Sequence, residues 1–520
     1  MTQKALKIPE IVRIICDEIY EQHSIGENPS LSSLLASTAR VSPLFAIECL
    51  ARLWSSQYSL SNFLGLLPRE CYMMNGSNVE TMDFERPMLY APWIKHMQCK
   101  SLPPATVCDA LSHNTVHGVM LPLLRSLHYD VSSTEHATLP YISLFLASSL
   151  GTLHLTAHGD SMSFLTTYGG RCPNLTEFSM FTAKPYAPTN TSSAFNSFLG
   201  HLTQIHTIDV DSMVCVSFGQ LAVLPTLHTL VIRENDRCKF QLSGLWCFAA
   251  LSDLQLHFSS FKTMGRMLKA MDAPQLTSIQ MDSVFYARAD VIRAIFQRFQ
   301  QHLRSKQLHE IRIDTDPETV PNDFSNHDAI TLQTIEPLLS FTSLTHADIR
   351  LNAGFELSDR CIASVAEAWP LIETLRLTLP YDARHAVASS ITIAGLRTFA
   401  CNCPCLDTLG LSLDGSVEPP KVKPIDVFAH QDRLRILEVG ISVVQYPERV
   451  ADFLSTVFPA LAKIETYWEC SDIIQDEFDS VSAWNFVETQ LKFGVKVCMR
   501  ERLLGQMHGS SLPVLREDSD

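Results

Sequence analysis

Apolar positions in this chain fall into a recurring triple, Leu-x-x-Leu-x-Leu, with Ile, Val, Met or Phe often standing for Leu. Clear copies are LGTLHL from Leu150, LHTLVI from Leu227, LSDLQL from Leu251, LTSIQM from Leu276, LHEIRI from Leu308, IETLRL from Ile372, LDTLGL from Leu406 and LRILEV from Leu434. Degenerate copies start at Ile94, Leu124, Leu175, Ile205, Leu344 and Leu461, which makes fourteen anchors. Between 94 and 461 the mean spacing is 367/13, about 28 residues, with a range of 22 to 36. Within a copy, positions 4 and 6 (the anchor being position 1) are apolar and their neighbours mostly polar, the alternation of a strand with one buried face.

Pro stands two residues before the anchor in eight copies: Pro92, Pro122, Pro173, Pro225, Pro274, Pro370, Pro404 and Pro459. It cannot continue a helix and pushes its predecessor to extended backbone, so it suits the end of a helix and the start of a strand. Helical spacing is clearest at Ile362, Val365 and Ala366, with Ser358 as the N-cap, and at Val291, Ile295, Phe299 and Leu303. A period of roughly 20–29 residues with a strand and a helix per unit is that of leucine-rich repeats. The expected fold is an α/β leucine-rich-repeat solenoid over 68–480, with a parallel concave sheet and convex helices. No unit can bury its apolar face alone, so neighbours stack into one core. Residues 481–505 read as a C-terminal cap or degenerate repeat, and the polar tail 506–520 as disordered.

Residues 1–67 leave this period. IPEIVRIICDEIY places Ile8, Ile11, Ile15 and Ile19 on one helical face with Val12 beside them, starting near Pro9, and Pro43 divides two further short helices. The segment with Ile8-Pro9-Glu10-Ile11, Leu34-Leu35-Ala36, Arg40 and Leu53-Trp54, followed by repeats, resembles the F-box domain of fungal F-box/leucine-rich-repeat proteins. It departs from that pattern in opening with Ile8 and in placing Glu10 directly after Pro9. The resemblance implies a three-helix F-box-like domain over 1–67 that docks on a Skp1-like adaptor and, through it, on a cullin complex. It implies a substrate-recognition subunit of an SCF-type ubiquitin ligase, with Ile8, Pro9, Ile11, Val12, Ile15, Leu34 and Leu35 toward the adaptor and the repeats presenting a protein substrate. The alternative is a stand-alone repeat scaffold whose first helices only cap the solenoid.

Strand alternation turns positions 3, 5 and 7 outward, so the candidate substrate residues are Asp209, Asp211, Asp253, His257, Asp282, Glu310, Arg312, Asp314, Asp348, Arg350 and Arg376. Carboxylates dominate the middle of this face and arginines interleave from Arg312, which fits a basic or mixed-charge protein segment. His96, Gln98 and Lys100 open the face, and Thr408, Gly410, Ser412, Ile436, Glu438 and Gly440 close it.

Composition narrows the classes. A formal net charge of −15 opposes nonspecific nucleic-acid and anionic-membrane binding. The first residues lack the apolar core of a signal peptide and no run approaches the ~18 apolar residues of a membrane span, so a cytoplasmic or nuclear site with reduced cysteines is expected. No phosphate loop, dinucleotide fingerprint, nucleophile elbow or zinc helix occurs, so neither an enzyme activity nor a cofactor is expected. The trio Cys401, Cys403 and Cys405 lacks a fourth ligand nearby, and no metal is expected there. In the repeat register Cys403 takes the slot before the recurring Pro, held elsewhere by Ala91, Leu121, Cys172, Leu224, Ala273, Trp369 and Phe458. That slot reads as buried.

Overall fold

In a computed structural model the chain divides into two compact units, Met1–Gln241 and Leu242–Asp520. The structure describes residues 7–23, 29–67, 85–103, 105–115, 119–130, 139–157, 169–182, 191–211, 218–234, 244–302, 307–316, 329–380, 389–421, 431–467 and 481–492. The expected tail 506–520 and most of the expected cap lie outside these residues.

The first unit opens with three helices, α1 (Pro9–His23), α2 (Pro29–Ala39) and α3 (Pro43–Ser55). Pro43 sits at the first helical position, where a missing N–H costs nothing, and Ser42 Oγ accepts from the Phe45 N–H at 3.4 Å as the N-cap. Val12, Cys16, Leu35, Phe45 and Cys49 form the core of this bundle, with Ile15, Ile19 and Leu53 packed on it. Arg52 of α3 fastens α1: it donates to Asp17 at 2.5 Å through Nη2 and to Glu48 at 2.8 Å through Nη1.

Seven parallel strands of this unit follow in chain order: β1 (Ser56–Gln57), β2 (His96–Cys99), β3 (Ser126–Asp130), β4 (Thr152–Ala157), β5 (Glu177–Thr182), β6 (Thr207–Asp211) and β7 (Thr229–Arg233). The second unit has a pair of two-residue strands, β8 (Trp246–Cys247) and β10 (Met271–Asp272), and a second such pair, β16 (Asp414–Gly415) and β18 (Val443–Val444). Its main ladder is β9 (Asp253–Phe258), β11 (Ser278–Ser283), β12 (Glu310–Thr315), β13 (His346–Arg350), β14 (Thr374–Thr378), β15 (Thr408–Leu411), β17 (Ile436–Gly440) and β19 (Lys463–Thr466), all parallel.

Each of the fourteen expected anchors is followed two residues later by the first residue of one of these strands. Every anchor is at most 1% exposed, from Ile94 at 0% to Leu461 at 1%. Register pairs position 3 with position 3 throughout, as in Ser278 with Asp253 and with Glu310. Every repeat but the last, where position 6 is the half-buried Thr466, therefore buries positions 1, 4 and 6 together, and each fully buried aliphatic side chain contributes about 1.5–3 kcal/mol. Both units are leucine-rich-repeat stacks of α/β type.

The recurring Pro has a local cause. The anchor N–H donates to the carbonyl three residues back, as in Leu175 to Cys172, Leu276 to Ala273, Ile372 to Trp369, Leu406 to Cys403 and Leu461 to Phe458. Pro is the second residue of this four-residue turn, where its fixed φ is favoured. The residue before it is buried in nearly every copy, with Trp369, Cys403 and Phe458 at 0% exposure.

Some local expectations change. The helix Ala289–His302 buries Ile292, Ile295, Phe296 and Phe299 rather than centring on Val291, and Leu303 lies outside the described residues. The helix Asp359–Ala368 buries Ile362, Val365 and Ala366 as expected, but Ser358 Oγ contacts Cys361 Sγ at 3.2 Å instead of capping the helix. Strand β1 was not anticipated; it pairs Ser56 with His96, so the end of α3 leads straight into the sheet. Among the described residues no helix is long and apolar enough to cross a membrane.

A candidate protein-binding face on the repeat sheet

Side chains at positions 3, 5 and 7 stand on the sheet face away from the buried anchors. Neighbouring strands about 4.8 Å apart bring the same position of successive repeats into rows. In the second unit the position-7 row runs His257, Asp282, Asp314, Arg350, Thr378. The position-5 row runs Gln255, Gln280, Arg312, Asp348, Arg376, Gly410, Glu438. Asp253 and Glu310 share the position-3 row.

The two rows meet in one charge network. Arg350 Nε donates to Asp348 Oδ1 at 2.9 Å, Arg376 Nη1 to Asp348 Oδ2 at 3.2 Å, and Arg376 Nε to Glu438 Oε2 at 2.8 Å. Glu438 is 2% exposed, and Thr378 Oγ1 lies 3.5 Å from its other oxygen. Arg376 reaches Glu438 across a rung that belongs to Gly410. A Cβ on Gly410 would stand 3.0 Å from Arg376 Cγ, so any larger residue there makes the Arg376 side chain give way. Burial raises the Glu438 carboxyl against the opposing pull of Arg350 and Arg376, while the Arg350 guanidinium is held above its usual range by Asp348 and Glu438, despite its own burial.

At the other end of the rows the charges are less balanced. His257 Nδ1 donates to Asp282 Oδ2 at 2.7 Å and Gln280 Nε2 to the same oxygen at 2.9 Å. Asp314, on the neighbouring rung, is pushed up to about 6 by burial, with Asp282 and Asp348 adding to the effect and Arg350 opposing it. Among the described residues no side-chain donor reaches Asp314 at hydrogen-bonding distance. Asp253 accepts from Gln255 Nε2 at 3.0 Å, and Arg312 donates to Glu310 at 3.4 Å.

In the first unit Arg233 donates to both oxygens of Asp209, at 3.1 and 3.2 Å. Asp211, expected to be outward and available, is 6% exposed. Arg233 stands opposite it in register on the next strand, but its guanidinium runs back to Asp209.

The structure thus brings together Asp282, Asp314, Asp348, Arg350 and Arg376, with His257, and leaves Asp209 in a local pair of the first unit. Several face positions expected to be open are buried: Thr408 (5% exposed), Gly410, Glu438 and Gly440. Neighbouring side chains in a row shield one another. The importance of Glu438 was missed, although position 5 of three successive repeats reads Arg376, Gly410, Glu438, and that order was the available signal.

On the helical bundle, Ile8 is 44% and Leu34 40% exposed, Pro9 is exposed, and Ile11 and Ile15 are half-buried. Val12 and Leu35, expected toward an adaptor, are instead 0% and 1% exposed in the bundle core. A three-helix unit this small needs its most central apolar side chains for its own packing. Of the cysteine trio, Cys403 is buried with Sγ 3.6 Å from the Ala366 carbonyl oxygen, Cys401 is exposed and Cys405 half-buried.

No family model matches the chain and no curated protein matches it. Among solved structures it is similar to the crystal structure of the Rad7 and Elc1 complex in yeast, at 14% identity and a TM-score of 0.29, covering 69% of this chain and 82% of that one. It is also similar to the TLR13–ssRNA13 complex, at 10% identity and a TM-score of 0.23, covering 78% of this chain and 64% of that one.

Proposed function

We propose that this chain recruits a protein substrate to an SCF-type ubiquitin ligase, the α1–α3 bundle docking on a Skp1-like adaptor within a cullin complex and the repeat face holding the substrate. It recruits and does not catalyse. The observation that carries this reading is a helical bundle with its own filled core that still presents Ile8, Leu34 and Ile14, the last 65% exposed, ahead of a repeat sheet with a free polar face. Apolar side chains left outside a satisfied core are available to a protein partner, and a contiguous patch of them is what a docking surface requires. The substrate side falls to the second-unit rows, where Asp253, Asp282, Glu310 and Asp314 face a basic or mixed-charge segment and Arg312 sets its register.

Co-expression of the full chain with a Skp1-like adaptor tests the docking. The adaptor should co-purify with the native chain and be lost from an Ile8→Glu/Leu34→Glu variant that keeps its circular dichroism. A native chain that purifies without adaptor sinks the proposal. Point variants are the right tool, because β1 pairs with β2 and deleting 1–67 would strip a strand from the sheet. That pairing also favours the second reading, a stand-alone scaffold capped by its first helices. Under it the double variant behaves like the native chain in every respect.

A further inference from the structure

Nine lysines and arginines occupy positions 2, 3, 5 or 7 of the fourteen repeats. Six are ion-paired: Arg233 with Asp209, Arg312 with Glu310, Arg350 with Asp348, Arg376 with Glu438, Arg435 with Asp407 and Lys463 with Glu465. The other three, Lys95, Lys100 and Arg125, are all on β2 and β3 or their ends, all exposed, and none has a carboxylate within ion-pair distance among the described residues. Among the described residues, a chain of net charge −15 thus gathers its unpaired strand cations on two neighbouring strands.

These two strands and the next, β4, carry a histidine series. His96 stands on β2, His128 on β3 and His154 on β4, and the last two face each other across one rung with ring centroids 5.7 Å apart. Lys95 and Arg125 lie on adjacent rungs, since the Arg125 N–H donates to the Lys95 carbonyl at 2.7 Å. They bracket His96 closely enough that, after burial, both hold its imidazole below the usual range. Asp130 is the one carboxylate at positions 2, 3, 5 or 7 of these three repeats. Exposed aliphatic groups precede these cations in the chain, Leu123 (50%) two residues before Arg125 and Leu89 (71%) on the helix leading to β2.

We infer that the β2–β4 face is a docking site for an acidic segment of a partner protein, with Lys95, Arg125 and Lys100 meeting its carboxylates and Leu123 and Leu89 its aliphatic side chains. Charge complementarity selects the sign. The overall negative charge selects a short acidic segment over a polynucleotide, because a long polyanion must run past the three cations onto the surface of a chain of net charge −15, which repels it at close range. This site is separate from the carboxylate-rich rows of the second unit and does not depend on adaptor docking.

The test is fluorescence anisotropy on the full chain with three labelled probes: a peptide of Asp, Glu and Leu, a peptide of Lys and Leu, and oligo-uridylate. The acidic peptide should bind best, and raising the salt should weaken it. Lys95→Glu/Arg125→Glu and the milder Lys95→Gln/Arg125→Gln should each reduce its affinity, the first by roughly tenfold or more, ~1.4 kcal/mol. Arg435→Glu, at an exposed cation already paired, should leave it unchanged. No binding of the acidic peptide, equal affinity in both double variants, or tighter binding of oligo-uridylate overturns the inference.

Discussion

Replacing Arg376 with Ala removes the one short side-chain contact that the buried Glu438 carboxylate makes among the described residues. Glu438 is 2% exposed and would retain Thr378 Oγ1 at 3.5 Å and Arg350 Nη2 at 4.0 Å, both too long to replace a 2.8 Å charge-assisted bond. Breaking one side of a buried pair costs about 3–5 kcal/mol. Arg376 is 20% exposed, so a loss of about 3 kcal/mol, the lower end of that range, is expected. The larger part of the cost is the stranded carboxylate rather than the lost attraction, so Arg376→Met/Glu438→Met should return to within about 1 kcal/mol of the native chain. Urea unfolding reads this through Trp369, which is fully buried in the turn slot of the same repeat, with circular dichroism followed in parallel because repeat arrays can unfold in parts. The sign with pH is also fixed. A carboxyl raised in the folded state binds its proton more tightly there than in the unfolded chain, so the Arg376→Ala deficit should shrink as pH falls toward 5. A loss under about 1 kcal/mol, or a double variant no more stable than Arg376→Ala alone, refutes the reasoning.

Gly410→Ala should cost about 1 kcal/mol in the native background, since Arg376 must shift, and should become neutral or stabilising in Arg376→Ala, where the glycine's flexibility is a liability; equal costs in both backgrounds, measured by urea midpoint, would contradict the close approach. Asp314 is raised to about 6 against ~3.9 unfolded, so its contribution is present below pH ~4 and lost as pH rises through 6. Asp314→Asn should accordingly gain about 1 kcal/mol over the native chain at pH 7.5 and nothing at pH 4, as seen in paired urea curves, after allowance for the group's partial exposure. Cys403→Ser should lose about 1 kcal/mol, because the smaller hydroxyl fills the buried slot less well and the Ala366 and Trp369 carbonyls, 3.6 and 3.7 Å from Sγ, only partly offset its desolvation, while Cys401→Ser, at an exposed position, should stay within about 0.5 kcal/mol.

The repeat register was legible because it rests on local rules. Burial at positions 1, 4 and 6 follows from strand periodicity, and the Pro follows from the turn that precedes each strand, so both recur with the sequence. That register also placed Cys403 in a buried slot, where the structure has it. The face residues were legible as to side: Asp253, His257, Asp282, Glu310, Arg312, Asp314, Asp348, Arg350 and Arg376 all stand where alternation puts them. How open each one is was not legible, because exposure on a sheet face depends on side chains one and two strands away. Asp211 is 6% exposed although alternation turns it outward, and Glu438 is met by an arginine that crosses an intervening glycine.

The sequence alone thus determined the period, the strands, the buried positions and the side on which each polar residue stands, since these depend on contacts within a repeat. Only the tertiary structure decided which charges neutralise one another, which three cations stay unpaired among the described residues, and that Val12 and Leu35 serve the bundle core. Those outcomes depend on residues tens of positions apart meeting across adjacent strands or helices, at distances that no linear spacing encodes.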